Sequence, residues 1–166
     1  MEAIINKVEQ SGLIDFNLED YYPKAQRVLF DLKDQLWQGL ILKETDFRNF
    51  VKANNWADYQ GKYVAVNCTA DAIIPVWAYM LVASALQPFA FKVVFGDLNK
   101  LEETIFHDAL QTIDVKPFED KRIIIKGCSK YPVPPSAYLE LTTLLRPVAK
   151  SLMYGEACST MPIFKK

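Results

Sequence analysis

The chain has 166 residues, of which 51% are hydrophobic and 23% charged, and its formal net charge is −1. This composition is typical of a globular protein and excludes an intrinsically disordered chain. A net charge so close to zero also argues against binding to the backbone of nucleic acids. The length predicts a single domain, made of an N-terminal α/β extension (residues 1–60), a core (61–150) and a C-terminal segment (151–166). We find no sequence repeat.

The apolar runs and the number of cysteines indicate the cellular compartment of the protein. The N-terminal sequence lacks a basic segment followed by an apolar stretch, so it does not resemble a signal peptide. The longest uncharged apolar run, residues 73–86, has 14 residues, fewer than the ~20 that a membrane-spanning helix needs. Three cysteines are too few for a disulfide scaffold. We therefore expect a cytoplasmic protein with reduced thiols and no contact with a membrane.

Charge is distributed unevenly along the chain. Residues 1–60 carry a net charge of −3 and residues 61–120 one of −4, whereas residues 121–166 carry +6. Either the basic last quarter packs beside the acidic remainder, or it forms a basic face that meets an anion or an acidic partner.

The first 60 residues show mixed patterns. Residues 15–20 alternate between apolar and polar side chains, which predicts an edge strand. Residues 29–40 carry leucines at helical spacing, although the part from 30 to 34 also alternates like a strand. Residues 46–54 have apolar side chains on one face of a helix.

Three apolar runs rich in β-branched residues predict the strands of the core: residues 63–68, 91–95 and 122–126. They begin about 30 residues apart, which is the size of a βαβ unit. Continuous apolar runs are typical of parallel strands that are covered on both faces. We therefore predict an α/β fold, an open three-layer sandwich with a mainly parallel sheet built from three successive βα units. The three strands are expected to be adjacent or nearly so.

A helix is predicted after each of these strands. The first begins near Pro75, where the missing amide hydrogen is tolerated, and it is apolar nearly all round. We expect Trp77, Met80 and Leu81 to be almost fully buried, either in the core or in a subunit interface, so that a homodimer is a reasonable interpretation. The second helix is expected to begin after Asp97, a residue type that caps helix N-termini.

The carboxyl ends of the strands are where a ligand binds in an open parallel sheet. Cys68 follows the first strand and Cys128 the third, and each precedes a helix N-terminus, which favours a thiolate and binds anions. Cys158 lies in the C-terminal segment, which would have to return to this edge. The alternative is that these thiols are small apolar residues, above all Cys68 at the end of a buried strand.

Two kinds of site would fit this arrangement. In the first, Cys68, Cys128 and Cys158 bind zinc or an iron–sulfur cluster, with Asp71 as a fourth ligand. In the second, Cys128 is a catalytic nucleophile, and the side chains after it hold an anionic substrate together with the helix N-terminus. The residues expected to contact a ligand or assist the nucleophile are Thr69, Asp71, Gly127, Ser129 and Lys130.

His107 is the only histidine in the chain. On its helix it lies opposite the apolar residues Leu101 and Ile105, so we expect it to be exposed and not to form a Cys–His catalytic pair. The sequence also lacks glycine-rich phosphate loops, the Gly-x-Ser-x-Gly elbow of hydrolases and the His-Glu-x-x-His zinc motif.

The sequence resembles an uncharacterised bacterial family that is known only as a domain of unknown function. The resemblance spans essentially the whole chain and lies in residues 30–34 (FDLKD), 40–44 (LILKE), 68–81 (CTADAIIPVWAYML), 126–134 (KGCSKYPVP) and 150–159 (KSLMYGEACS). It implies no established activity. It does imply a genomic context near the sulfur-mobilisation (SUF) system of iron–sulfur cluster assembly, and all three cysteines lie within these segments.

Three functions follow from these observations. The first is an accessory protein of iron–sulfur cluster assembly, which binds metal or sulfur through cysteine thiolates and meets a protein partner of that system. The second is a small thiol-dependent enzyme or a domain that binds an anionic ligand. The third is a non-catalytic interaction module, whose partner docks on the basic last quarter or on the acidic, aromatic residues 15–22. We favour the first.

Overall fold

The computed structural model describes residues 12–127, 130–156 and 158–166. Short 3-10 turns follow the first two strands and precede the third and fifth. In chain order, the helices and strands of the described residues are β1 (Leu13–Asn17), β2 (Arg27–Asp31), α1 (Glu44–Ala53), β3 (Tyr63–Asn67), α2 (Val76–Leu86), β4 (Lys92–Phe95), α3 (Leu98–Gln111), β5 (Arg122–Lys126), α4 (Pro135–Leu145), β6 (Ser151–Glu156) and β7 (Ser159–Lys165).

The chain divides into two compact units. Unit 1 comprises Met1–Pro23 and Ile105–Lys166, and unit 2 is the intervening Lys24–Thr104. Unit 2 therefore contains β2, α1, β3, α2 and β4, while unit 1 contains β1, β5, α4, β6 and β7; α3 has residues in both. The predicted division of a single domain into an N-terminal extension, a core and a C-terminal segment, with bounds at residues 60 and 150, stays a prediction.

Each unit contains one sheet. In unit 2 the strand order is β2-β3-β4, and both pairs are parallel. In unit 1 the order is β1-β5-β6-β7, in which β1, β5 and β6 are parallel and β7 pairs antiparallel with β6. The predicted α/β class with mainly parallel strands is confirmed. An edge strand is present where one was predicted at residues 15–20, but it covers Leu13–Asn17, and residues 18–20 belong to a 3-10 turn.

The three predicted core strands belong to two sheets. β3 pairs with β4 in unit 2, whereas β5 pairs with β1 and β6 in unit 1. The prediction that all three are neighbours is wrong, because an apolar run identifies a buried strand without saying which strand it pairs with. The βαβ partner of β5 is β6, which the sequence analysis placed in the C-terminal segment.

A repeat that the sequence analysis missed relates the two units. A shift of 59 residues superimposes the bounds of β3 on those of β5 and the bounds of α2 on those of α4. The same shift brings the first residue of β4 onto the first residue of β6. β1 and β2, each with the 3-10 turn after it, are related by a shift of 14 residues. Between residues 62 and 96, the residues that are identical in unit 1 at the larger shift are Lys62, Pro75, Ala78, Tyr79, Leu86, Pro88, Ala90 and Gly96.

The two copies also share local geometry. The amides of Ala78 and Ala137 each close the first helical turn with a 3.0 Å hydrogen bond to the proline carbonyl three residues earlier. Gly96 and Gly155 both have a positive φ, +138° and +121°, directly after a strand or at its end. A side chain at either position would collide with atoms of the next turn, which explains why both glycines are kept.

In unit 2 one helix packs across the sheet. Ala78, Val82 and Leu86 lie on one face of α2, are each 0% exposed, and pack with Val64 and Val66 of β3. In unit 1 the equivalent residues of α4 pack against β5 in the same way. The unit 2 core is completed by Phe30, Leu32, Leu42, Phe47 and Trp56.

The expected full burial of Trp77, Met80 and Leu81 in the core is wrong, while their burial in a subunit interface stays a prediction. Met80 is 66% exposed, and the other two are only half-buried. Since α2 is apolar nearly all round, its sequence does not show which face meets the sheet. The structure selects the face with the small Ala78, which leaves Met80 facing outward.

The prediction that a helix begins after Asp97 is confirmed. The Asp97 carboxylate accepts a 2.8 Å hydrogen bond from the amide of Lys100, as expected of an N-cap. His107 is 56% exposed, and its Nδ1 lies 2.7 Å from the carboxylate of Glu140. Among the helices of the described residues, none combines the length and hydropathy of a membrane-spanning segment.

The basic last quarter of the chain belongs to a nearly neutral unit. Unit 1 contains 10 lysine and arginine residues and 11 aspartate and glutamate residues. Lys126 lies 3.1 Å from Asp15 and 3.6 Å from Glu156, and Lys166 lies 3.0 Å from Asp120. These ion pairs favour the interpretation in which the basic residues pack beside acidic ones.

Replacing Leu86 by alanine is expected to lower the free energy of unfolding by about 2–5 kcal/mol, because it opens a cavity in the unit 2 core. Replacing the exposed Met80 by alanine should cost less than about 1 kcal/mol. Urea unfolding followed by circular dichroism measures both. Equal losses for the two variants would show that α2 does not present the face described here to the sheet.

Candidate functional site

An apolar groove of ≈ 290 Å³ lies beside α2 in unit 2. Residues of β3 and β4 line one side of it, and α2 lines the other. None of the lining residues is charged, and only one of them carries a polar side-chain atom. They are Val66, Val76, Tyr79, Met80, Ala83, Val93 and Phe95.

The residues around this groove are unusually open to solvent. Val76 is 73% exposed, Met80 66% and Phe95 69%. Ile73, in the loop that leads into α2, is 93% exposed. Single exposed apolar residues are common on protein surfaces, but a contiguous group beside a groove marks a binding surface. We call the seven lining residues the apolar face of unit 2.

Tyr79 supplies the polar atom of the groove. Its ring meets the ring of Phe95 edge to face, with centroids 5.1 Å apart and an interplanar angle of 87°. Burial raises the pKa of Tyr79, and negative charge at Cys68 and Asp31 raises it further. The phenol therefore stays neutral near pH 7 and can donate or accept a hydrogen bond.

The carboxylate of Asp31, at the end of β2, fastens the loop that follows β3. It accepts hydrogen bonds from the backbone amides of Lys33 (3.0 Å) and Thr69 (3.1 Å) and from the Thr69 hydroxyl (2.5 Å). Burial alone would raise the pKa of Asp31, but these hydrogen bonds and the charge of Lys33 hold it below its ordinary value. The charged carboxylate thus links the ends of two neighbouring strands.

Three of the predicted site residues lie in this loop of unit 2. Thr69 is bound by Asp31. Cys68 is half-buried, packs against the unit 2 core and donates a weak 3.8 Å hydrogen bond to the carbonyl of Ala70. This environment favours the alternative in which Cys68 is a small apolar residue. Asp71 is exposed.

Gly127 and Lys130 follow β5, so they lie at the sheet of unit 1. A Cβ atom on Gly127 would approach the Tyr154 hydroxyl to 2.9 Å. The backbone amide of Lys130 donates a 2.8 Å hydrogen bond to the carboxylate of Glu19. The predicted ligand-contacting residues are therefore divided between two sheets, which no pattern in the sequence indicated.

The three thiols do not follow strands of one parallel sheet. Cys68 follows β3 of unit 2, whereas β5, which precedes Cys128, belongs to unit 1, so the shared sheet edge expected for these two residues is wrong. Cys158 is exposed in the turn between β6 and β7, and β6 is the neighbour of β5. The C-terminal segment therefore returns to the sheet of unit 1 and not to an edge shared with Cys68, and a site formed by the three cysteines stays a prediction.

Cys128 and Ser129 lie outside the described residues. The predicted nucleophile and the surface pocket expected around it stay predictions. In the part of the chain that the structure describes, no group of three or more histidine, cysteine, aspartate or glutamate side chains is placed to hold a metal ion. The zinc or iron–sulfur site also stays a prediction.

Sequence reasoning missed the groove, although one signal pointed to it. A helix that is apolar nearly all round, next to a sheet of only three strands, has more apolar surface than the sheet can cover. The sequence analysis recognised the excess but did not decide between the core and a subunit interface, and it did not predict a groove.

Replacing Asp31 by alanine is expected to lower the free energy of unfolding by about 1–2 kcal/mol near neutral pH, because the amides of Lys33 and Thr69 lose their acceptor. Since the pKa of Asp31 is lowered in the folded state, its stabilising effect is present above the unfolded-state pKa. It is lost as the pH falls through the folded-state pKa. Urea unfolding at neutral pH and at about pH 3 measures the effect, with exposed Asp34→Ala as the control. A difference from wild type that does not shrink in acid would contradict this role.

Cys158 should react with iodoacetamide much faster than Cys68, because only the former is exposed. Brief labelling of the native protein, followed by mass spectrometry of each cysteine-containing peptide, compares the two. Labelling in denaturant is the control, and there the rates should converge. Equal native rates would contradict the burial of Cys68.

Comparison with known proteins gives a family and no activity. Neither the curated proteins nor the solved structures gave a match. A family model described as "Protein of unknown function (DUF2480)" matches residues 2–166. The chain therefore belongs to this family of proteins of unknown function.

Proposed function

We propose that this chain is a non-catalytic interaction module, and that the apolar face of unit 2 docks an uncharged, apolar segment of a protein. The observation that carries the proposal is the exposure of Val76, Met80 and Phe95, each at least 66% exposed, around one groove. Covering apolar surface stabilises a complex by about 25 cal/mol for each Å² removed from water.

The shape of the groove favours a protein over a small molecule. Small-molecule sites of ~300–1,000 Å³ enclose most of the ligand surface. Here the groove is ≈ 290 Å³, and most of its lining residues are exposed to solvent. A small ligand in it would therefore also stay largely exposed to solvent. Side chains of a protein can enter the groove while the surrounding backbone covers its walls, as in docking of strands or helices.

The two docking surfaces expected from the sequence are less suitable. In the acidic segment, Asp15 pairs with Lys126, and Glu19 accepts the amide of Lys130. Tyr21 stacks on Phe16 with centroids 5.2 Å apart. In the basic quarter, lysines pair within unit 1. These groups would have to exchange existing partners before they met a new one.

A thiolate role in iron–sulfur cluster assembly, with a protein partner of that system and a cytoplasmic location, remains a separate hypothesis. It rests on the family resemblance and on the exposure of Cys158. Its test is metal analysis of anaerobically purified protein, in which a Cys158→Ser variant should lose any bound iron or zinc.

The uncharged dye Nile red tests the docking surface. The full chain is diluted until light scattering gives the monomer mass, and dye fluorescence is then compared between wild type, Met80→Glu and Leu139→Glu. Leu139 is the residue of unit 1 that corresponds to Met80, and it is 72% exposed. Dye binding should be lost with Met80→Glu and kept with Leu139→Glu. No binding by wild type, or equal binding by Met80→Glu, would overturn the proposal.

A further inference from the structure

We infer that the protein segment bound by the apolar face is the same face of a second copy of this chain, packed about a twofold axis. The inference rests on the proposed function and names its partner. Its support comes from the charge, shape, position and area of the face.

The face carries no charge. In a twofold contact, residue i of one copy meets residue j of the other and the reverse contact forms as well, so a charge on the face would need an opposite charge on the same face to pair with. The residues that line the groove include no lysine, arginine, aspartate or glutamate. A second copy can therefore approach without like-charge repulsion, and a charged docking segment would find no counter-charge among these residues.

The face has both projecting and recessed parts. Val76 and Met80 project from α2. The groove beside them is ≈ 290 Å³. Because both features belong to one face, the projecting side chains of one copy can enter the groove of the other, and the reverse contact forms at the same time.

The groove lies at the margin of the sheet. β4 is an outer strand in the order β2-β3-β4, and Val93 and Phe95 of β4 line the groove. No further strand of the described unit 2 sheet stands beyond β4. Two copies can therefore lie groove against groove, with their outer strands side by side.

The exposed area suits a weak dimer. Val76, Met80 and Phe95 are between 66% and 73% exposed. With roughly 150 Å² for a large side chain, covering these three removes about 300 Å² from water in each copy, before the rest of the groove lining is counted. This area is below the ~600 Å² per partner of the smaller stable interfaces, so the contact belongs to the weak, transient class.

A second pair of exposed apolar residues, on β7, is less suited to self-association. Met161 and Ile163 are at least 50% exposed on β7, the outer strand of the unit 1 sheet. However, β7 contains Pro162 and ends at Lys165. Proline and lysine are the residues that protect outer strands against pairing with another chain.

Sedimentation equilibrium of the full chain over a wide concentration range tests the inference. Wild type should form a dimer, and Met80→Glu should weaken it by about tenfold or more in Kd, because the carboxylate would be buried without a partner. Leu139→Glu, the matched change in unit 1, should dimerise like wild type. Circular dichroism and urea unfolding establish that each variant is folded.

Ala83→Arg is the second variant, for the case in which Met80→Glu fails to fold. Ala83 is an exposed residue of α2 that lines the groove, so an arginine there obstructs the contact and leaves the core unchanged. Dimers that survive this change, or that are lost with Leu139→Glu instead, overturn the inference. Wild type that stays monomeric at every concentration also overturns it, and the docking surface then stands if Nile red binding still depends on Met80.

Discussion

The packing of one helix across a pair of parallel strands determines the structure of each unit. An alanine in the first turn, Ala78 or Ala137, lets the helix approach the sheet closely, and a leucine in the last turn, Leu86 or Leu145, fills the core. Burying each large side chain stabilises the unit by about 1.5–3 kcal/mol. These positions are identical between the copies because a larger or smaller side chain at either point would move the helix.

In each unit a hydrogen bond accepted by a carboxylate at or just after the first strand holds the loop that follows the neighbouring strand. The two units use different residues for this bond. In unit 2 the acceptor is Asp31, which holds Thr69. In unit 1 the acceptor is Glu19, two residues beyond the end of β1, which accepts the amide of Lys130. Asn17, at the position equivalent to Asp31, caps its own 3-10 turn. The connection is kept although the residues that make it have changed.

The class of fold could be predicted from the sequence, because continuous β-branched runs such as residues 122–126 are typical of strands buried on both faces of a parallel sheet. The pairing of strands could not. β1 and β2 are consecutive strands in the chain but belong to different sheets. The strands that pair with β5 are β1, early in the sequence, and β6, late in it. Contacts over such separations leave no local pattern. The repeat was hidden for a related reason, since burial is conserved between the copies while most side chains are not.

The site was harder to predict than the fold, because a helix that is apolar nearly all round gives no sign of which face is outside. Hydrophobic periodicity identifies a buried face only when the opposite face is polar. In α2 the face with Met80 is as apolar as the face with Val82, and the choice was made by the close approach of Ala78 to the sheet. Excess apolar surface was visible in the sequence, and its location was not.

The difference between the two copies explains both the groove and Cys68. In unit 1 the hydroxyl of Tyr154 lies over Gly127, and a Cβ atom there would approach it to 2.9 Å, so a side chain at position 127 would have to displace the tyrosine. The equivalent pair in unit 2 is Phe95 and Cys68. Because phenylalanine has no hydroxyl, position 68 can carry a side chain, and its thiol packs against the unit 2 core. The ring of Phe95 meets the ring of Tyr79 edge to face and is 69% exposed. A single exchange of partners thus accounts for a packed cysteine and an exposed aromatic ring at the groove.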